Sequence, residues 1–331
     1  MKKTLATILA LCMVFALSTS ALAADAPVYL QIGQTAAEDS IWVKASQRFA
    51  ELASEKSGGT ITMDVYPAGQ LGSQTDLHDQ MYAGATVIGV GTPAYFADMG
   101  APEFGIIAGP YLATSWDDID KLQESEWFSA QEKIMEDGGI KVLSFNLRVG
   151  TRETLTTKPV EKLADLKGMK IRVPNSSVYI NTYTALGANP IPMNLGEVYT
   201  SLSQGVIEGE DNTISTMQSE KHYEVAKNLI MDHHIYDLQC FCMSAMIFNA
   251  MSEDQQAALL EAAEEAAVYF NELAVEAEKA TLEDMQNSGV TVYYPELSEY
   301  QDAAKSFYDD PAINSRWSDG LYDSLISVMA G

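Results

Sequence analysis

The chain has 331 residues, of which 47% are hydrophobic and 20% charged. This excludes a disordered chain and leaves room for two ordinary domains. A formal net charge of −26 disfavours nucleic acid and anionic membranes as partners. It does not disfavour a small anion gripped at contact in a cleft, because salt screens the remote surface field beyond roughly 8 Å.

Lys2 and Lys3, the apolar run from Leu5 to Leu17 and the small-residue site Ala21-Leu22-Ala23 read as a secretory signal. The run is too short to span a bilayer, and no later segment reaches about 18 apolar residues. The expectation is an exported, periplasmic protein cleaved near Ala23. Cys12 follows Leu11 in mid-run, so it is not read as a lipid-attachment point.

Val28 to Ile32 is predicted as a strand. A helix follows from Ser40, with Trp42, Ala45, Phe49 and Leu52 on one face, stopped by Gly58-Gly59. Thr60 to Tyr66 alternates as a strand, a short helix carries Leu77 and Met81, and Thr86 to Val90 is an apolar strand leading into Gly91-Thr92-Pro93. This β-α-β-α-β order implies a parallel sheet covered by helices. Helix is expected from Trp116 to Glu136 and a strand from Lys141 to Leu147.

A second α/β unit follows. It has a strand at Lys170 to Val173, a helix at Ser176 to Leu186 closed by Gly187, and a loop marked by Asn189-Pro190 and Pro192. Then come a helix at Leu195 to Gln204, a short strand at Val206 to Glu208 and a polar loop at Gly209 to Asn212. Ser252 with Gln255 forms a capping-box pattern, and no Gly or Pro occurs from there to Asn287. Leu260, Ala263, Ala267, Phe270, Ala274 and Ala277 give that segment an apolar stripe. At 1.5 Å per residue it is about 50 Å of helix, long enough to brace two domains.

Cys240 and Cys242, expected on alternate faces of a strand, are read as two small buried hydrophobes rather than a disulfide, metal or redox pair. Asp232, His233 and His234 are read as a solvated inter-domain turn, since adjacent histidines share no face and no third metal ligand has suitable spacing. An exported hydrolase acting on an acidic substrate is the competing functional class. The sequence carries no G-x-S-x-G, no H-E-x-x-H and no zinc spacing to support it.

Three of the five arginines, Arg148, Arg152 and Arg172, fall close together. The planar guanidinium fork matches a carboxylate bidentately, so this clustering in an acidic chain points to a local anion. The same region carries Gly150-Thr151-Arg152, Asp165 to Pro174 (DLKGMKIRVP), Leu186 to Met193 (LGANPIPM), Glu197-Val198-Tyr199 and Gly205 to Asn212 (GVIEGEDN). Tyr66-Pro67 and Gly69 to Gly72 (GQLG) precede them. In this order, the series resembles the DctP-type solute-binding proteins of tripartite ATP-independent periplasmic (TRAP) transporters, over nearly all of the chain past the signal.

The resemblance implies an α/β fold: a two-domain, periplasmic-binding-protein-like clamp with a long domain-spanning helix. After the signal at 1–23, domain I would comprise 24–149 with 238–277, and domain II 150–237 with 278–331. It also implies a bidentate salt bridge from Arg172 to a ligand carboxylate, a further contact from Arg152, and an amide contact from Asn212. Arg148 has no counterpart and is expected to be structural, while Glu210 and Asp211 are expected to cap or to meet basic neighbours. Thr92 and Gln74 are placed at the cleft edge of domain I. Leu195 stands where sialic-acid-binding members carry an aromatic residue, which counts against sialic acid. Tyr236 either lines the pocket from the crossover or packs in the core.

No catalytic residue, metal or cofactor is expected. The implied role is a monomeric periplasmic receptor that delivers a small organic acid to TRAP permease subunits. A sugar acid, uronate or aldonate, is favoured because Gln74, Thr92 and Asn212 offer neutral partners for hydroxyls. A C4-dicarboxylate and sialic acid are the alternatives within the role, and a binding protein of an ABC importer is the alternative with a similar fold.

Overall fold

The computed structural model describes residues 26–331, so the expected signal segment, its cleavage point and Cys12 lie outside the described residues. Strands Val28–Gly33 (β1), Ile61–Tyr66 (β2) and Val87–Gly91 (β3) are parallel, in the order β2-β1-β3. Helices Ile41–Lys56 (α1) and Gln74–Tyr82 (α2) connect them, as the sequence pattern implied. Helix Pro93–Asp98 (α3) follows, capped by the Thr92 side chain.

The helix expected over Trp116 to Glu136 is two, Trp116–Gln123 (α4) and Glu126–Asp137 (α5). The break comes at Ser125, whose hydroxyl accepts from the Phe128 N–H and starts a new helix. Strand Ile140–Thr156 (β4) is 17 residues long and runs well past the expected Leu147. Beyond it lie Lys170–Val173 (β5), Ser177–Ala185 (α6) and Asn189–Pro192 (β6). β6 was expected as a loop. It is the terminal strand in the sheet order, where proline's missing N–H is tolerated.

Helix Val198–Ser203 (α7) leads to Gly209–Thr213 (β7) and Ile214–Ser219 (α8). The expected strand at Val206 to Glu208 and polar loop at Gly209 to Asn212 are therefore misplaced: the polar segment is itself the strand. It can be buried because its acidic side chains have partners: Asp211 is ion-paired with Arg152, and Glu210 Oε1 is hydrogen-bonded to the His222 ring. Strand Asn228–Ser244 (β8), also 17 residues, pairs antiparallel with β4 and β3. The solvated turn expected at Asp232 to His234 is part of this strand, with Asp232 and His234 fully buried.

Helix Ala245–Asn249 (α9) precedes the single 35-residue helix Glu253–Asn287 (α10), which carries the expected capping box of Ser252 and Gln255. Ala263, Ala267, Phe270 and Ala274 of its stripe are buried. Phe270 meets Trp42 of α1 at 4.4 Å between ring centroids. Toward its other end Met285 enters a separate core with Leu155 and Met217, so one helix braces both halves of the sheet. Thr291–Tyr293 (β9), Leu297–Asp309 (α11), Pro311–Asn314 (α12) and Leu321–Ala330 (α13) complete the chain.

The sheet order is β2-β1-β3-β8-β4-β7-β5-β6, with β9 beside β8. β4 and β8 pass through both halves. Their register slips between Arg148 and Gly150, where Gly150 has φ +120° and the strand can turn at no Cβ penalty. Phe49, Phe241 and Phe270 lie in one core cluster of the first half, and Phe96, Phe104 and Phe145 in another. Each of these rings removes apolar area worth about 1.5–3 kcal/mol from water.

Cys240 and Cys242 do not alternate. Two residues apart on a strand they share a face, and both join the Phe96 cluster while Phe241 and Met243 join the other. Both are buried and free, as two small hydrophobes. Among the described residues no helix is long and apolar enough to cross a membrane.

Candidate functional site

A cavity of about 310 Å³ lies between the two halves of the sheet. Gln74 and Thr92 reach it from the first half, and Arg152, Arg172, Leu195 and Asn212 from the second. Six of the seven residues expected from sequence therefore meet around one space.

Arg172 lies on β5 and is 3% exposed. Its Nε and Nη2 donate to the Met193 carbonyl at 3.0 and 2.8 Å. Met193 is itself fixed by its N–H to the Val173 carbonyl. No carboxylate lies within salt-bridge distance of Arg172 among the described residues, whereas Arg48, Arg148, Arg152 and Arg316 each have one. Burial lowers the Arg172 pKa, and the more distant Glu210 oppose it only in part. A buried guanidinium held by one carbonyl, with Nη1 lacking a described acceptor, has donors left that can receive an anion.

Arg152, on β4, is equally buried but fully engaged. Nε and Nη2 grip both carboxylate oxygens of Asp211 at 2.9 Å, and Nη1 donates to Asp237 Oδ2 at 2.8 Å. Its guanidinium carbon lies 4.7 Å from the centre of the Tyr179 ring. Burial alone would raise the Asp211 pKa, but the Arg152 charge outweighs it and holds the carboxyl well below the usual range. His234 bridges Asp211 and Asp232 at 2.9 and 3.0 Å. Burial would lower its pKa, but the Asp232 and Asp211 carboxylates prevail and push it up to about 10. This network fixes Arg152 in the cavity wall.

The Asn212 carbonyl oxygen accepts from the Thr213 N–H at 3.0 Å, which leaves its NH2 as a donor without a described partner. Gln74 uses its NH2 near His78 and the Val90 carbonyl, which leaves Oε1 as an acceptor. Thr92 Oγ1 accepts from the Tyr95 N–H at 3.3 Å and retains its proton for donation. Leu195 supplies apolar wall from a short 3-10 turn.

Tyr236 is not brought to this cavity. It lines a separate one with Trp116 and His233, and its ring meets Trp116 edge-on at 5.4 Å. The reason is strand alternation: its neighbour Asp237, with Gln239, takes the cavity face. Arg148 binds Asp120 and stacks over Trp116, the structural role expected of it. Sequence reasoning missed Asp237, Gln239, Tyr179 and Tyr95 in the cavity wall. A period-2 reading of β8 was the signal that would have found the first two.

The bacterial extracellular solute-binding protein family 7, DctP, matches residues 32–314. The chain belongs to this family. Family 7 here comprises TRAP solute-binding receptors, and its mixed α/β two-domain fold with a long spanning helix is the fold described above. A TRAP periplasmic solute-binding protein of Ochrobacterium anthropi, solved with bound L-fuconate, is 30% identical with TM-score 0.87, covering 92% of this chain and 100% of that one. One from Actinobacillus succinogenes, solved with bound L-galactonate, is 31% identical with TM-score 0.85, covering 92% and 99%. The sialic acid-binding periplasmic protein of Vibrio cholerae is 28% identical over 300 residues, 88% of this chain and 91% of the relative.

Proposed function

We propose that this receptor binds a sugar acid with one carboxylate, an aldonate or uronate, and delivers it as a monomer to TRAP permease subunits. The observation that carries the reading is Arg172, a buried cation with no carboxylate of its own among the described residues, facing the cavity. The ligand carboxylate takes Nη1 and the free edge of Nη2, and the Asn212 NH2 donates to the same group. Arg152 forms the adjoining wall. Hydroxyls meet Gln74 Oε1 as an acceptor, the Thr92 hydroxyl as a donor and the amide of Gln239.

A C4-dicarboxylate fits less well. The cavity wall holds two arginines and no lysine or histidine among the described residues, and Arg152 is already matched by Asp211 and Asp237. A second carboxylate has no cation to meet.

The domain division proposed is 24–149 with 238–277 and 150–237 with 278–331, preceded by a signal cleaved near Ala23 that exports the chain to the periplasm. The register slip at Arg148 to Gly150 supports a hinge there. Binding then closes the domains on the ligand. The test is a thermal-shift screen of organic acids against wild type and Arg172→Ala. A ligand at 100 times its Kd adds about 2.7 kcal/mol of stability. One acid class should stabilise wild type and not the variant. Equal stabilisation of both would refute the carboxylate clamp.

A further inference from the structure

Asp237 is the one acidic residue among the described residues lining the cavity. It is 3% exposed and held in place: Oδ2 accepts from Arg152 Nη1 at 2.8 Å, and both oxygens lie 3.1 Å from Gln239 Nε2. A carboxylate has about four acceptor positions. The protein occupies the two on Oδ2 and one on Oδ1, so one remains on Oδ1.

Asp237 is also more than Arg152 needs. Asp211 already engages Arg152 bidentately and neutralises it. Adding Asp237 gives the trio of Arg152, Asp211 and Asp237 one excess negative charge, set against the single positive charge of Arg172 in the same cavity wall. An asparagine could take the Arg152 Nη1 hydrogen bond equally well, so the structural role does not require a charge here.

We infer that Asp237 determines specificity: it accepts a hydrogen bond from the ligand hydroxyl next to the bound carboxylate and turns away compact diacids. The inference rests on the sugar-acid reading and deepens it. A hydroxyl can donate to Oδ1, whereas a second carboxylate has no proton to offer and meets a fixed negative charge. The position beside Arg152, which adjoins the Arg172 anion site, selects the hydroxyl on the adjacent carbon. Because Asp237 is locked by Arg152 and Gln239, it cannot swing aside to admit a diacid.

The test is titration calorimetry of wild type and Asp237→Asn with L-galactonate, its 2-deoxy analogue and succinate. A hydroxyl bonded to a charged acceptor is worth about 10- to 100-fold in affinity. Wild type should prefer L-galactonate to the 2-deoxy acid by at least about tenfold and bind succinate far more weakly than either. In Asp237→Asn the preference for the hydroxyl should fall below about threefold, and succinate affinity should rise at least about tenfold. A variant that keeps the wild-type preference and still rejects succinate overturns the inference. If the variant does not fold, wild type alone decides, since equal binding of L-galactonate and the 2-deoxy acid overturns it too. Sugar-acid binding that does not depend on Asp237 leaves the proposed function intact. A wild type that binds succinate and no sugar acid sinks both.

Discussion

Replacing Arg172 by methionine should move apo stability and ligand affinity in opposite directions. In the apo protein the guanidinium is 3% exposed, bonded to one carbonyl and without a salt bridge. Exchanging such a buried charge for an apolar side chain of similar length is expected to stabilise by about 1–2 kcal/mol. The same exchange removes the only unmatched cation among the described residues of the cavity wall, which should cost about 3.4 kcal/mol of binding, or roughly 300-fold in Kd. At a ligand concentration of 1,000 times the wild-type Kd, wild type gains about 4.1 kcal/mol and the variant about 0.9 kcal/mol. The order of stability therefore reverses on adding ligand. Urea unfolding followed by tryptophan fluorescence, with and without ligand, reads both quantities. An apo variant less stable than wild type, or one that keeps its affinity within about tenfold, refutes the reasoning.

His234 is held protonated up to about 10, above its unfolded value of about 6.5. Its contribution to stability is full below about pH 6.5 and lost as pH rises through about 10, with a slope of up to about 1.4 kcal/mol per pH unit. Urea midpoints of His234→Gln should fall less steeply than wild type over that window, and parallel curves would contradict the buried ion network. The Ala37 N–H donates to Glu220 Oε1 at 2.8 Å, joining the two proposed domains; Glu220→Ala should weaken binding by about 1 kcal/mol, mainly through faster release in stopped-flow experiments, and an unchanged release rate would contradict a role in closure. A Cβ on Gly91 would lie 2.3 Å from Phe96 Cζ and 3.0 Å from Cys240 Sγ. Gly91→Ala should therefore cost about 1–3 kcal/mol in thermal unfolding, and an unchanged midpoint would show that the ring can yield.

The first half of the fold was legible because its signals are local. Amphipathic α1, the apolar run of β3 and the capping box of α10 each state their structure within a few residues. β7 and β8 were not legible, and for one physical reason. Their buried charges are tolerable only through partners far away in sequence: Arg152 with Asp211 and Asp237, His234 with Asp211, Glu210 with His222. Read alone, Glu210-Asp211-Asn212 and Asp232-His233-His234 look like solvated turns. Missing β8 also misassigned the site, because the alternation of a strand puts Asp237 in the cavity and Tyr236 behind it. Arg172 was legible from its surroundings in the sequence. Its lack of a counter-charge among the described residues, on which the proposed clamp rests, emerges only from the packed structure.

The central claim is that Arg172 receives the carboxylate of a sugar acid. The most direct measurement is a crystal structure of the complex with an aldonate or uronate. The account predicts both carboxylate oxygens within about 2.7–2.9 Å of Arg172 nitrogens, with hydroxyls toward Asp237 and Gln74. A ligand bound with its carboxylate elsewhere in the cavity, and Arg172 still held only by Met193, would contradict it.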